Sequence, residues 1–277
     1  LSGPAAGVIA AGYIAEAAGF PDVITGDMGG TSFDVSLIAK GASMLSPQTS
    51  IDFGMVVRSP MIEITTIGAG GGSIAWVDKG GLLNIGPESA GSTPGPVAYG
   101  QGNTRPTVTD ANVVLGRIDP DNPIGGKLDR LDVEAAKAAI LEHVGRPLGM
   151  DALQAAEAIL RVANSRMAGA LRLVSIERGF DPERFAFTPF GGGGALHSGA
   201  MLAEVGLARA IVPRYPGVTS AMGCVIADMR QDFVQTINSV LAGIDLQSLT
   251  GFMQSHVDSG LATLDAARTH FERRDTE

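Results

Sequence analysis

One short stretch, GDMGGTSFDVSLI at residues 26–38, holds the residue types best suited to phosphate chemistry. It combines an acid, two adjacent glycines and two hydroxyl side chains, namely Asp27, Gly29, Gly30, Thr31 and Ser32. Because glycines leave the backbone uncovered, the amides of this turn and the two hydroxyls can converge on phosphate oxygens. The stretch therefore predicts a phosphate-binding turn.

Asp27 is the acid of this turn, and a carboxylate beside phosphates makes chemical sense chiefly when a divalent metal lies between them. Mg²⁺ uses one or two carboxylates, several waters and the phosphates of the substrate. We therefore predict that Asp27 is the catalytic residue that orients the metal ion or its water. The alternative is an ordinary Gly-Gly hairpin with a turn aspartate, since short motifs also occur by chance.

A second candidate, FAFTPFGGGGALHSGAMLAEVG at residues 185–206, is typical of a strand, a glycine loop and a helix. Such a loop lets a nucleotide approach the amides at a helix N-terminus. The spacing is not the GxGxxG of dinucleotide folds, and no GxxxxGK[ST] loop occurs in the sequence. We expect His197, in the first turn of the helix, to pack or hydrogen bond rather than to serve catalysis or a metal. The loop glycines are Gly191, Gly192, Gly193 and Gly194.

The element that positions the first candidate is a predicted β-hairpin. Val23 and Ile24 begin one apolar run before the glycine pair. After it, Phe33, Val35 and Leu37 alternate with polar residues in the period of a half-buried strand. The pattern predicts two antiparallel strands joined by the Gly-Gly turn.

Two further segments are rich in glycine. Gly68–Ser73, GAGGGS, separates two β-like segments and predicts either a backbone bend near a ligand or a bulged sheet corner. Residues 86–106 are rich in Gly, Pro and Ser, and the prolines are too frequent for a simple flexible linker. We expect an ordered surface loop that faces a partner or substrate.

Helices are predicted where caps precede apolar periodicity. Ala5–Ala18 is rich in small residues, which indicates close packing against another element. Either Thr109 or Asp110 is expected to cap a short helix. Asp151 with Gln154 is typical of a capping box that begins a longer helix.

Composition excludes several functional classes. The chain has 277 residues, a formal net charge of -9 and 45% hydrophobic residues, so it can bury a sizeable core. The acidic balance argues against nucleic-acid binding, and no apolar run approaches the roughly 18–20 residues of a membrane span. Its one cysteine, Cys224, suits a cytoplasmic protein and excludes an internal disulfide. We expect Cys224 to be a buried small apolar group.

A series of motifs extends the analysis over almost the whole chain. In order they are SGPAAGV, GDMGGTSFDVSLI, TIGAGGGSIAWVD, GPESAGSTPGP, PTVTDANVVLGR, PFGGGGALH and PGVTSAMGCVIAD. This series resembles the hydantoinase A and 5-oxoprolinase family. The resemblance implies an α/β lobe of the actin-like ATPase (ribonuclease H-like) fold, with a mixed sheet and helices on its faces. In that fold two lobes close over ATP and a metal ion.

Carried over position by position, the resemblance assigns nucleotide contacts to both candidates. Asp27, Gly29, Gly30 and Thr31 match the second phosphate loop of the fold, and Gly191–Gly194 match its adenosine motif. The family's first phosphate loop, another Gly-Gly-Thr hairpin, has no counterpart in this sequence. We therefore expect a fragment of a larger two-lobed protein that alone hydrolyses ATP poorly or not at all.

The expected domain organisation follows from the same resemblance. Residues 1–239 would be the second lobe of the ATPase domain, with the Gly/Pro/Ser-rich loop at 86–106 inside it. Residues 240–277 would be a C-terminal helical extension, with an amphipathic helix beginning at Leu246 and a cut point at its end.

The resemblance implies ATP- and Mg²⁺-dependent ring opening of a cyclic amide such as a hydantoin or 5-oxoproline. Transfer of the γ-phosphoryl group to the amide oxygen would give an imidate-like phosphate that water can attack. The family also implies a hydantoinase B-type partner subunit or fused domain, hence an oligomer.

Two alternatives of other kinds remain. One is an ATP-dependent ketone carboxylase subunit of the acetone carboxylase type, which shares the nucleotide motifs. The other is a non-catalytic assembly module that nucleotide binding opens and closes.

Overall fold

The structure is a computed structural model that describes residues 2–51, 55–57, 60–123, 128–240 and 243–267. These residues belong to two compact units. One comprises residues 1–46 and 61–227, and the other residues 47–60 and 228–277. Both sequence-predicted candidates lie in the first unit.

The described strands are mostly short, and the described helices range from one turn to 23 residues. The strands are β1 Val23–Met28, β2 Phe33–Ala39, β3 Ala42–Ser43, β4 Leu45–Ser46, β5 Thr49–Ile51, β6 Met55–Val57, β7 Met61–Ile62, β8 Thr65–Ile67, β9 Ser73–Val77, β10 Leu83–Ser89 and β11 Ala186–Phe190. The helices are α1 Ser2–Ala17, α2 Val108–Val114, α3 Val133–Ile140, α4 Arg146–Leu148, α5 Ala152–Val174, α6 Gly191–Gly194, α7 Ser198–Val205, α8 Thr219–Ile226 and α9 Leu246–Ala266.

The central sheet is mixed. Its order is β11-β1-β2-β3, and β8 also pairs with β2. β1 runs antiparallel to β2, with Asp27 opposite Asp34, and parallel to β11, with Asp27 beside Phe190. The predicted hairpin and the predicted mixed α/β class are therefore confirmed.

The core of the first unit lies between this sheet and α5. Phe33 and Phe187 from the strands, and Ile159 and Met167 from α5, are all fully buried. The predicted capping box of α5 is confirmed, because the Asp151 side chain accepts a bond from the backbone amide of Gln154 at 2.8 Å and the Gln154 side chain accepts one from that of Asp151 at 3.1 Å. The sheet and this long helix form the frame that supports the hairpin turn.

α1 and α8 pack closely against each other, as the small residues of α1 predict. Gly223 of α8 lies so near the backbone of α1 that a β-carbon there would overlap the carbonyl oxygen of Ala6. At the neighbouring position in α1, a β-carbon on Gly7 would be 2.5 Å from the Phe190 ring and 2.7 Å from the Ser220 hydroxyl. The helix pair therefore brings Ser220 towards the ends of β1 and β11.

Two local predictions are wrong. The cap of α2 is Thr107 rather than Thr109 or Asp110, because Thr107 has the extended backbone of a cap and Asp110 completes its capping box three residues later. Cys224 is exposed rather than buried, because Gly223 is the residue of α8 that faces α1.

Part of the segment 86–106 packs into the first unit. The segment starts inside β10, which pairs antiparallel with β9, and it includes a short 3₁₀ turn at Val97–Tyr99. Val97 and Ala98 are buried, so this part is more than a surface loop.

The second unit contains β5, β6 and α9 among its described residues. Asp245 caps α9, and the ring of Phe233 stacks on that of His256 with centroids 5.3 Å apart. The amphipathic helix predicted from Leu246 is confirmed. Within the described parts of the chain, none of the helices combines the length and apolar character that crossing a membrane requires.

Candidate functional site

The turn between β1 and β2 is held by its own strands and by the glycine segment Gly68–Ser73. The Gly29 amide donates to the Ser32 carbonyl at 3.1 Å. The carbonyls of Gly29 and Gly30 accept bonds from the amides of Gly71 and Gly72 at 3.0 and 2.6 Å. These two carbonyl oxygens and the Gly29 amide are thus occupied, and the turn amides that remain for an anion are those of Gly30 and Thr31.

The segment Gly68–Ser73 thus braces the turn by a close backbone approach. A β-carbon on Gly70 would be 2.5 Å from the Thr31 amide nitrogen, so no larger residue fits there. The Gly70 amide in turn donates to Ser73 Oγ at 2.8 Å. The segment for which the sequence left open a bend near a ligand or a bulged sheet corner therefore lies against the predicted phosphate-binding turn.

The two hydroxyls of the turn have different surroundings. Ser32 Oγ donates to Asp34 Oδ2 at 3.0 Å, and Thr66 Oγ1 donates to Asp34 Oδ1 at 2.5 Å. Thr31 Oγ1 lies 3.4 Å from Ser89 Oγ on the exposed side. Thr31 is therefore freer than Ser32 to turn towards a ligand.

Asp27 lies at the end of β1, half-buried between the two glycine motifs. Ser220 Oγ from α8 donates to its Oδ2 at 3.3 Å. A β-carbon on Gly191 would overlap Asp27 Oδ1, so the four-glycine motif touches this carboxylate directly. Burial, and secondly the charge of Asp34 across the hairpin, raise the pKa of Asp27, while the Ser220 bond lowers it.

The donor set at Asp27 suits a hard cation better than a protein-only metal cage. Asp27 and Asp34 are paired across the strands. In the described residues no group of three or more His, Cys, Asp or Glu side chains gathers as a metal site. Mg²⁺ completes its shell with waters and substrate phosphates when the protein offers one or two carboxylates, so these residues fit Mg²⁺ brought with a phosphate ligand.

The sequence predicted a loop at the four glycines. In the structure they instead form one helical turn, α6, directly after β11. Gly191 has a φ of 82°, a left-handed conformation that reverses the chain against β1. Parallel pairing of β1 with β11 places this turn beside the Gly29-Gly30 turn. The structure thus brings together the two glycine motifs that the sequence separates by 160 residues.

A cavity of ≈ 240 Å³ opens between these two turns. Gly29 and Gly30 line one side, and Gly192 and Gly193 line the other. Apolar side chains form much of the remaining wall, including Ile118, Pro123, Leu128, Leu131 and Leu196. The polar residues that line the cavity are Tyr99, Thr109, Asn112 and His197. A largely apolar cleft with a few fixed polar groups is the usual form of a small-molecule site.

His197 belongs to a buried chain of hydrogen bonds that the sequence did not predict. Its Nδ1 lies 2.7 Å from Asn164 Oδ1, and its Nε2 lies 3.4 Å from Asn112 Nδ2. Burial, and secondly the charge of Arg117, lower the pKa of His197 to about 4, so the ring is neutral at pH 7. The expectation that His197 packs and hydrogen bonds is confirmed.

Asn112 and Asn164 are site residues that sequence reasoning missed. Asn164 lies in the middle of α5 among buried apolar residues, and a lone amide on such a stripe was the available signal. Asn112 sits in α2 with no comparable signal, because its partner lies 85 residues away.

Asp110 fixes the wall of the cavity that Asn112 forms. Its carboxylate is fully buried and accepts bonds from the amides of Val97, Ala98 and Thr107 at 3.1, 2.8 and 2.8 Å. Burial raises the pKa of Asp110, and these donors oppose that rise. The side chain ties the start of α2 to the 97–98 segment.

Comparisons with known proteins agree with the motif series. The sequence profile described as hydantoinase/oxoprolinase matches residues 1–233. The chain is 39% identical over 265 residues to the caprolactamase subunit alpha of Pseudomonas jessenii, a match covering 95% of this chain and 38% of that subunit. It is 31% identical over 268 residues to the acetone carboxylase beta subunit of Xanthobacter autotrophicus, covering 96% of this chain and 36% of the relative.

The fold agrees as well. The crystal structure of the ATP-dependent caprolactamase from Pseudomonas jessenii superposes with a TM-score of 0.77 at 37% identity, over 99% of this chain and 39% of that one. The chain spans two fifths or less of the length of the curated relatives it matches. Profile, relatives and fold together establish that the chain belongs to the hydantoinase/oxoprolinase family.

Proposed function

We propose that this chain supplies one side of the ATP site of an enzyme that couples ATP hydrolysis to ring opening of a cyclic amide, such as a hydantoin or 5-oxoproline. The observation that carries the proposal is the meeting of two glycine turns at a half-buried carboxylate, with a cavity between them. In this account residues 1–239 are the second lobe of an actin-like ATPase domain, and residues 240–277 are a helical extension.

The hairpin turn would hold the phosphates. Its carbonyls are already bonded to Gly71 and Gly72, and its Gly29 amide to the Ser32 carbonyl, so the amides of Gly30 and Thr31 are the ones that would face the ligand. Gly29, Gly30, Thr31 and Ser32 form this phosphate-binding side. Amides of this kind stabilise charge on a transferring phosphoryl group because they are fixed before the reaction begins.

The four-glycine turn would hold the adenosine. Gly192 and Gly193 line the cavity opposite the hairpin, and space for a β-carbon at Gly192 is open. A nucleotide with phosphates at the hairpin can therefore place its base between the two turns. Gly191, Gly192, Gly193 and Gly194 form this adenosine-binding side.

Asp27 would orient Mg²⁺ or one of its waters, with Ser220 fixing the carboxylate from the far side. The bound ion would neutralise charge that develops on the phosphates. A raised pKa does not remove this role, since a nearby cation favours the ionised carboxylate.

ATP is needed because resonance makes an unactivated amide a poor electrophile. Transfer of the γ-phosphoryl group forms an O–P bond at the amide oxygen and releases ADP, and the nitrogen loses its proton. Water then attacks the ring carbon, and the C–N bond breaks as the amine leaves protonated. A second water releases phosphate and leaves the carboxylate.

The family assignment supports this choice of reaction, since its description names hydantoinase and oxoprolinase, and one relative is an ATP-dependent caprolactamase. That relative is a subunit alpha, and the acetone carboxylase relative is a subunit beta. We therefore propose that the full-length protein works with a hydantoinase B-type subunit or fused domain.

A second candidate is an ATP-dependent ketone carboxylase subunit. The observation in its favour is the 31% identity to the acetone carboxylase beta subunit over 96% of this chain. In that enzyme the same two glycine turns would bind the ATP that phosphorylates the ketone.

Phosphate release from Mg-ATP by the full-length protein with its B partner separates these candidates. The assay compares no addition, 5-oxoproline, hydantoins, and acetone with bicarbonate. Stimulation by a cyclic amide with ring-opened product in step is the expected result. Stimulation only by ketone with bicarbonate would move the assignment to the carboxylases, and absence of ATP turnover would leave a binding or assembly role.

A further inference from the structure

Asn112 is buried, and among the described residues only the nitrogen of its side-chain amide has a hydrogen-bond partner. Its side chain is 2% exposed, and its Nδ2 donates to the Val108 carbonyl at 3.1 Å and faces His197 Nε2 at 3.4 Å. Its Oδ1 is buried without a hydrogen-bond partner among the described residues. A buried acceptor left unbonded is costly, and a hydrogen-bond donor that reached it would remove that cost.

The amide is locked in this orientation by its neighbours. The bond from Asn112 Nδ2 to the Val108 carbonyl sets this orientation. The matching tautomer of the neutral His197 ring has its proton on Nδ1, which lies 2.7 Å from Asn164 Oδ1. His197 Nε2 then presents a lone pair to Asn112. If the Asn112 amide were flipped, its oxygen would face both this lone pair and the Val108 carbonyl. His197 and Asn164 thus act as positioning residues that leave Asn112 Oδ1 free.

Asn112 forms part of the cavity wall between the two glycine turns. The same cavity is bounded by Gly30 on the phosphate side and by apolar Ile118, Leu131 and Leu196. A planar ring with a hydrogen-bond donor on its edge matches this combination of apolar walls and one fixed acceptor. Buried base pockets read a base in this way, through its polar edge and apolar contact with its faces.

We propose that Asn112 Oδ1 accepts a hydrogen bond from the exocyclic 6-amino group of adenine, and so selects adenine nucleotides at this site. The inference rests on the proposed ATP site and names the residue that reads the base. Guanine and hypoxanthine carry a carbonyl oxygen at that position, which would face Asn112 Oδ1 without a shared proton. Purine riboside triphosphate has only hydrogen there and leaves the acceptor unbonded.

The size of the effect follows from burial. A site built around a hydrogen bond rejects an analogue that lacks it, because its own polar group then stays unpaired. Leaving a buried acceptor unpaired typically weakens binding by roughly 5- to 150-fold. We expect the full-length protein to bind ATP at least tenfold more tightly than GTP or purine riboside triphosphate in the presence of Mg²⁺.

Equilibrium binding of these three nucleotides to the full-length protein with its B partner tests the proposal. Asn112→Leu should weaken ATP binding about tenfold or more and leave purine riboside triphosphate within about twofold of wild type. Thr188→Val is the matched control, since Thr188 Oγ1 is also buried with no bonding partner in the described part of the chain, but Thr188 does not line the cavity. We expect this variant to keep the wild-type preference.

The wild-type comparison needs no substitution, so the test stands even if Asn112→Leu does not fold. Equal binding of ATP and purine riboside triphosphate by the wild type would overturn the assignment of Asn112 alone. A loss of affinity for all three nucleotides in Asn112→Leu, or a change confined to the KM of the cyclic amide, would also overturn it. Absence of binding by any nucleotide would overturn the proposed ATP site together with it.

Discussion

The glycines around the candidate site fall into two groups that the sequence alone does not distinguish. In the open group, an added β-carbon would meet no atom of the described residues within 4 Å. In the packed group, it would overlap neighbouring protein atoms. The open glycines include Gly29, Gly30 and Gly192, and the packed glycines include Gly70, Gly191 and Gly223.

The difference separates two uses of the same residue. A packed glycine lets two backbones approach, as at Gly223 against Ala6, and therefore serves the fold. An open glycine on the cavity wall leaves room that the protein itself does not fill, and therefore serves a ligand. Substitutions in the first group should lower stability, whereas substitutions in the second should lower binding.

Gly223→Ala should have the largest effect. The new methyl group would overlap the Ala6 carbonyl, and separating α1 from α8 would cost about 3 kcal/mol or more of unfolding free energy. Denaturant unfolding measures the change. The matched control is Gly169→Ala in the middle of α5, where nothing lies within 4 Å and alanine should stabilise the helix by about 1 kcal/mol. Equal stability of Gly223→Ala and wild type would contradict the distinction between packed and open glycines.

Lowering the pH should reduce the stability of the folded protein through His197. Its pKa is lowered to about 4 in the folded protein, below the 6.5 of a free histidine, so below pH 6.5 the unfolded chain binds a proton that the folded chain does not. Stability contributed by the neutral ring is complete above pH 6.5 and falls by about 3 kcal/mol as the pH approaches 4.

Unfolding free energies between pH 7 and pH 4 check this expectation. His197→Gln should lose this component of the pH dependence, whatever its stability at pH 7. The same slope in the variant and the wild type would show that His197 does not titrate as its burial implies.

Gly30→Ala should have the smallest effect on the fold and a clear effect on the ligand. No atom lies near the added methyl group, so unfolding free energy should stay within about 0.5 kcal/mol. Because the methyl group would occupy the phosphate side of the cavity, Mg-ATP affinity should fall about tenfold, or about 1.4 kcal/mol. Gly199→Ala, in α7 and outside the cavity, should change neither quantity. Unaltered Mg-ATP binding by Gly30→Ala would place the phosphates elsewhere.

Local patterns predicted the parts of the fold whose causes are local. The alternation of Phe33, Val35 and Leu37 gave the second strand of the hairpin, and Asp151 with Gln154 gave the start of α5. The cap of α2 was misplaced by two or three residues because threonine and aspartate recur there, and only backbone conformation selects Thr107.

The interior of the site could not be predicted, because its contacts join distant segments. Gly71 and Gly72 bind the hairpin carbonyls from about 40 residues away. Asn112, Asn164 and His197 meet from three separate helical segments. Neither spacing nor periodicity records such contacts. Asp27, the glycine turns and the segment Gly68–Ser73 were therefore singled out from the sequence, whereas their mutual contacts and the roles of Asn112 and Asn164 were not.

The measurement that tests the central claim most directly is Mg²⁺-dependent ATP binding by the full-length protein carrying Asp27→Asn. The amide keeps the size of the side chain and removes the negative charge that would hold the ion. Asp22→Asn is the control, since Asp22 lies at the opposite end of the hairpin, where it accepts a bond from the Lys40 amide. The account predicts that Mg²⁺ strengthens ATP binding at least tenfold in the wild type and the control, and that Asp27→Asn loses this gain together with phosphate release. Unchanged Mg²⁺ dependence in Asp27→Asn would contradict the assignment of Asp27 to the metal.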